Sequence, residues 1–163
     1  ANLSPLSLQV PGLLGRLTAV LQSHGMDARS LNIEITESCL AEPTPVLLNN
    51  LRGLRELGAK IGLDDFGTGY SALGYLSRFD LDFMKIDRSF VADVCDDPRA
   101  RAIVRAVIDL AHAHDLTVVA EGIETAEQLE TLRAMRCDKV QGFHLGRPMS
   151  VQALTELSQR AGG

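Results

Sequence analysis

The chain is predicted to be an α/β protein made of consecutive strand–helix units around a parallel sheet. Two observations carry this expectation. Short apolar or alternating runs are interleaved with amphipathic stretches at helical spacing. Polar and charged residues also stand where the strand runs end: Asn2, Glu34, Asp64, Asp65, Lys85, Glu121 and Gln141. Function at the C-terminal ends of strands fits a (β/α) barrel, and it fits an open doubly wound sheet as well. The barrel suits the pattern better, because a polar residue at nearly every strand end implies one shared mouth. An open sheet gathers its ligands at a single switch point. About six units are counted over residues 1–163, the first strand being cut short. A full barrel takes about eight strands, so two N-terminal units are expected to be missing from an otherwise single domain.

Each element has its own signature. Asn2 and Ser4 precede Pro5, where a strand runs into a turn. From Pro11 to about His24, Leu13, Leu14, Leu17, Val20 and Leu21 recur at helical spacing, and Gly25 follows as a stop. Leu31 to Thr36 alternates, with Leu31, Ile33 and Ile35 on one side and Asn32, Glu34 and Thr36 on the other. Pro43 to Leu57 carries a leucine stripe that ends at Gly58. Ala59 to Leu63 is the next strand, and Ser71 to about Arg78 a short helix. Phe83 to Ile86 is a strand containing Lys85, and Asp97 or Pro98 opens the longest helix, reaching about His114. Thr117 to Ala120 ends at Glu121, Thr125 caps a helix to about Arg136, Lys139 to Gln141 is a short strand, and Ser150 caps the last helix.

Composition narrows the function classes. The net charge is −5, with no basic block and no aromatic-interleaved basic patch. That argues against DNA, RNA or an anionic membrane as partner. It leaves room for a small phosphate ligand neutralised by metal ions. Cys39, Cys95 and Cys137 are odd in number and form no CxxC pair, so free thiols in a reducing, cytoplasmic compartment are expected. No apolar run is long enough to span a bilayer, and the N-terminus lacks a signal-peptide design. A cytoplasmic part of a larger multidomain or membrane-anchored protein has the same profile.

The chemistry centres on Ile61 to Ser71, IGLDDFGTGYS. Adjacent carboxylates at a strand end can hold hard divalent cations such as Mg or Mn. Glu34, Asp64, Asp65 and Glu121 are candidates for one metal centre, since four carboxylates in one cavity repel one another unless cations neutralise them. Asn2 is a candidate neutral ligand. Asp64 is the best candidate for bridging two ions, with Asp65 on the second. Lys85 lies inside an apolar strand and needs a partner if buried; a phosphate or a metal-bound hydroxide would serve, and the alternative is that it snorkels outward. Glu124 also reads as an acid opening the helix beside Thr125, and for Glu37 that first-turn reading is the stronger one. The segment Phe66, Gly67, Thr68, Gly69, Tyr70 and Ser71 is a candidate mobile loop over the site. His24, His112, His114 and His144 show no ligand spacing and read as structural.

Six runs together resemble the EAL domain, the family of bacterial cyclic di-GMP phosphodiesterases. They are NLS (Asn2–Ser4), IEITES (Ile33–Ser38), LDDFGTGYSALGYL (Leu63–Leu76), MKIDRSFV (Met84–Val91), VVAEGIET (Val118–Thr125) and VQGFHLGRPM (Val140–Met149). The resemblance implies a barrel of the TIM type. It also implies Mg- or Mn-dependent hydrolysis of cyclic di-GMP to linear pGpG, with two ions in the intact domain. Carried over, Asn2, Glu34 and Asp64 would hold the first ion, and Asp64, Asp65 and Glu121 the second. Lys85 would contact the attacking water or the second metal site, Gln141 would support the site, and Glu124 would stand behind it. Glu37 would brace the loop from Phe66 to Ser71, which the resemblance links to dimer contacts. The Glu-Ala-Leu strand for which the family is named lies upstream of the matching runs. A homodimer or a strand-completing partner chain is therefore expected. A cyclic di-GMP receptor or a protein-interaction scaffold without turnover stays open as the alternative.

Overall fold

The computed structural model describes residues 1–41, 43–67, 76 and 78–161. Five strands, β1 (Asn32–Thr36), β2 (Lys60–Phe66), β3 (Phe83–Ile86), β4 (Thr117–Glu121) and β5 (Lys139–Gln141), lie in the sheet in chain order, and every pairing is parallel. Nothing in that order reverses. An open doubly wound sheet would double back at a switch point, so the order is that of a barrel wall. The described helices are α1 (Pro5–Leu8), α2 (Leu13–Ser23), α3 (Glu37–Ala41), α4 (Pro45–Glu56), α5 (Arg88–Ala92), α6 (Pro98–Ala113), α7 (Ala126–Ala134) and α8 (Val151–Ala161).

The expected sixth strand survives as a single bridge. Asn2 pairs in parallel with Glu34, through Leu3 N–H to Glu34 O at 2.9 Å and Glu34 N–H to Ala1 O at 2.9 Å. It goes no further because Ser4 caps α1, its hydroxyl accepting from Ser7 N–H at 3.1 Å, and Pro5 has no N–H for a ladder. The longer helices start and stop as their residues dictate. Thr44 accepts from Leu47 N–H, Asp97 accepts from Arg99 N–H ahead of Pro98, and Thr125 with Gln128 forms a capping box. The helix expected over Ser71 to Arg78 falls almost wholly outside the described residues. Three short helices escaped the sequence reading, α1, α3 and α5, since four or five residues are too few to show a period. No described helix is long and apolar enough to cross a membrane.

The two faces of the sheet differ sharply. Ile33, Ile35, Ile61, Leu63, Met84, Ile86, Val118 and Ala120 are buried on the face that meets the helices. The other face, which would line a barrel, carries Glu34, Lys85, Val119 and Gln141 around a cavity of about 290 Å³. Its apolar filling comes from Phe83, whose ring lies across Gly62. A Cβ at Gly62 would stand 2.0 Å from a ring carbon, so only glycine leaves room for the aromatic plug.

A device at the N-terminal ends of the strands occurs twice. Asp82 precedes β3; its Oδ2 accepts from Ile61 N–H at 2.8 Å and from Arg55 of α4 at 3.0 Å. Asp138 precedes β5; its Oδ2 accepts from Val118 N–H at 2.7 Å and meets His112 Nε2 of α6 at 2.9 Å. In both places a carboxylate satisfies the neighbouring strand's N–H and ties it to the helix that precedes that strand. Asp138 is held below the usual carboxylate range: burial pushes it up, but the Val118 N–H and His112 outweigh that.

Two stability measurements follow. Gly62→Val should destabilise the fold by about 1–3 kcal/mol through overpacking, and adding Phe83→Leu should recover part of the loss in urea unfolding. Asp82→Ala, which strands the partly buried Ile61 N–H, should cost about 1–3 kcal/mol; the same assay reads it.

Candidate metal and catalytic site

The adjacent acids sit within β2, which runs to Phe66, three residues beyond the expected end at Leu63. In a regular strand, neighbouring side chains point to opposite faces. Here the register against β3 slips between Leu63 and Phe66, and Asp65 takes a φ of 53°. This bulge spends an extra residue and turns consecutive carboxylates toward the same mouth. Asp64 Oδ1 accepts from Asp65 N–H at 3.1 Å, which stabilises the turn locally. Asp64, Asp65 and Glu121 then bring one carboxylate oxygen each within 4.8 Å of one another.

Lys85 points inward and is only 7% exposed, so it does not snorkel. Its Nζ donates to Glu34 Oε2 at 3.0 Å and pairs with Asp64 Oδ1 at 2.9 Å and Glu121 Oε1 at 2.7 Å. The partners are thus three carboxylates from β1, β2 and β4, where the sequence suggested phosphate or hydroxide. Burial pulls the Lys85 ammonium toward deprotonation, but its bonds to Glu121, Asp64 and Glu34 outweigh that and hold it above the ordinary lysine range. Burial pushes the Asp65 carboxyl up; the charges of Asp64 and Asp87 add to the shift, and Lys85 opposes it.

The other sequence candidates fall around this centre. Asn2 lies beside Glu34 through its backbone bridge and is exposed. Gln141 stands opposite Glu121 in the β4–β5 register. Glu37, at the start of α3, is buried, and its Oε1 accepts from Gly67 N–H at 2.7 Å; its Oε2 has no hydrogen-bond partner among the described residues. That contact fixes the backbone just past Phe66. Thr68, Gly69, Tyr70 and Ser71, the rest of the candidate mobile loop, lie outside the described residues. Glu124 is exposed, and its backbone N–H donates to Gln128 Oε1 at 2.8 Å, as expected beside a helix start. It lines a cleft of about 190 Å³ next to Glu121, together with Gln141, Arg88 and Phe143. Arg88 and Phe143 were not singled out from the sequence, although both lie inside its motif runs. The four histidines hold no ligand cluster among the described residues.

The donor set is entirely carboxylate, hard oxygen ligands at short mutual distances. This suits Mg²⁺ or Mn²⁺ and disfavours softer metals. Four acids around one ammonium also leave an excess of negative charge that a divalent ion would offset.

Comparison with known proteins identifies the family of the chain. The EAL domain model matches residues 1–148. Cyclic di-GMP phosphodiesterase NbdA of Pseudomonas aeruginosa is 42% identical over 144 residues, which is 88% of this chain and 18% of that protein. The crystal structure of the EAL domain of Mycobacterium smegmatis DcpA superposes with a TM-score of 0.91 at 38% identity, covering 98% of this chain and 71% of that one. The manganese and cyclic di-GMP complex of Klebsiella pneumoniae BlrP1 gives a TM-score of 0.83 at 36% identity, covering 90% of this chain and 38% of that one. The chain spans about a fifth of the length of the curated relatives it matches. With a family match across most of its length and the same fold at this level of identity, the chain belongs to the EAL domain family.

Proposed function

We propose that this chain is the larger, C-terminal part of an EAL phosphodiesterase domain that hydrolyses one phosphodiester bond of cyclic di-GMP to give linear pGpG. One observation carries the reading: three strands deliver Glu34, Asp64, Asp65 and Glu121 to a single rim around the Lys85 ammonium. Of the relatives named above, NbdA is a cyclic di-GMP phosphodiesterase and BlrP1 is solved in complex with manganese and cyclic di-GMP.

Glu34, Asp64 and Asn2 would hold one Mg²⁺ or Mn²⁺, and Asp64, Asp65 and Glu121 a second. Bound ions of this kind supply an activated water and stabilise charge on the phosphoryl oxygens. The chain's own residues do the positioning. The bulge at Asp64 and Asp65 aims both acids at one point. Lys85 offers the buried positive charge nearest the reacting phosphate. Gln141 flanks Glu121, and the exposed Glu124 stands behind it. Glu37 holds the first residue of the loop after β2, so that loop position and the metal ligands are linked through one short strand end. The loop is the candidate dimer contact, and a second chain could cover the sheet edge at β5. Cys39, Cys95 and Cys137 are free thiols, which suits the cytoplasm.

Hydrolysis of cyclic di-GMP with Mg²⁺ or Mn²⁺ tests the reading. It is measured on this chain and on a form lengthened at its N-terminus to the span of the solved EAL domains. Turnover in the lengthened form is expected, and binding without turnover in both would favour a receptor. In the form that turns over, Glu121→Gln should lower kcat by at least about 10²-fold while leaving cyclic di-GMP affinity nearly unchanged, as read by calorimetry.

A further inference from the structure

Resting on that reading, we propose that Lys85 is an internal counter-cation that competes with divalent ions for the same carboxylates, so that metal loading is what frees its ammonium for substrate. A lysine ammonium has three N–H donors and no acceptor. Three carboxylates stand against it, Glu34 at 3.0 Å, Asp64 at 2.9 Å and Glu121 at 2.7 Å. Every donor is therefore spent on the protein, and none is left for a phosphate or a water.

Two of those carboxylates, Asp64 and Glu121, also belong to the oxygen triad with Asp65. The ammonium and a divalent ion on that triad cannot both keep their full share of these oxygens. A doubly charged ion at such distances wins the electrostatic contest, and each oxygen it takes returns a donor to Lys85. The arrangement also explains how four acids gather in a mouth that is largely withdrawn from water. Without some cation among them, their mutual repulsion would open the strands or force them to take up protons. Lys85 is tethered to β3, between the strands that carry the acids, and holds them in place.

The consequence is an ordering rule. A cyclic phosphodiester arriving before the ions meets a lysine already occupied; one arriving after them meets a lysine with free donors.

The test uses Mn²⁺ alone, followed by calorimetry and by the electron paramagnetic resonance of free Mn²⁺, with melting curves in chelator and in excess Mn²⁺. Lys85→Met removes the charge and keeps the length. It should bind Mn²⁺ at least about tenfold more tightly than wild type, since a positive charge beside the ion has gone. It should also melt at a lower temperature than wild type in chelator and gain more than wild type on adding Mn²⁺. Should Lys85→Met fail to fold in chelator, it is prepared with Mn²⁺ present, and Lys85→Gln, which keeps a hydrogen-bonding head, supplies the affinity comparison. Equal or weaker Mn²⁺ binding by both variants overturns the competition. Failure of wild type and variants alike to bind Mn²⁺ overturns instead the metal reading beneath it. In wild type, the Lys85 Nζ resonance should move on saturation with Mg²⁺, and a resonance that stays in place overturns the release.

Discussion

Four carboxylates in one half-buried mouth need a positive charge among them, and the buried ammonium of Lys85 supplies it. Burial alone pulls the Lys85 ammonium toward deprotonation, and its bonds to Glu121, Asp64 and Glu34 outweigh that. Together each stabilises the charged form of the other. The three bonds also join β1, β2 and β4 across β3, so the charge balance is a mechanical tie between strands as well. Removing one partner from such a buried set costs more than the pair is worth, because the remaining charges stay desolvated.

The backbone makes this convergence possible at two places. Parallel strands in chain order put alternate residues of each strand on the face turned away from the helices, and the polar residues follow that alternation. The bulge in β2 then breaks the alternation, and the two neighbouring carboxylates come to lie near one another and Glu121. Below the acids, the Phe83 ring packs over Gly62 and forms an apolar part of the cavity wall. At the far ends of the strands, Asp82 and Asp138 repeat one solution to one problem, an N–H at a strand start that has no ladder partner.

Much of this was legible in the amino-acid order. The strands at Phe83–Ile86 and Lys139–Gln141 have the bounds the sequence predicts, and Asp97, Thr125 and Ser150 act as the caps their types suggest. Acids and amides at strand ends pointed to a shared mouth, and Glu34, Asp64 and Glu121 meet there. The sequence could not show the bulge, because nothing in LDDF marks Asp65 as the residue that takes a φ of 53°. Nor could it show the partners of Lys85. A lysine in an apolar run announces that it needs a counter-charge, but the three acids that answer it lie far away along the chain and are brought near only by the order of the strands. The short helices α1, α3 and α5 were invisible for a different reason, being one turn each and defined by caps and packing.

Asp64 and Asp65 are neighbours in the covalent chain, and their separation is set by bond lengths and the positive φ of Asp65. Glu34 and Glu121 reach the same face from β1 and β4, and their distance from the pair depends on how tightly β1, β3 and β4 stay laced to β2. The centre therefore has a stiff half and a compliant half. Any influence that loosens the wall, from a neighbouring domain or a partner chain, alters grip through the compliant half while the stiff half keeps a weak hold. A cation held there would be gripped according to how well the strands are knit, with the acids themselves untouched.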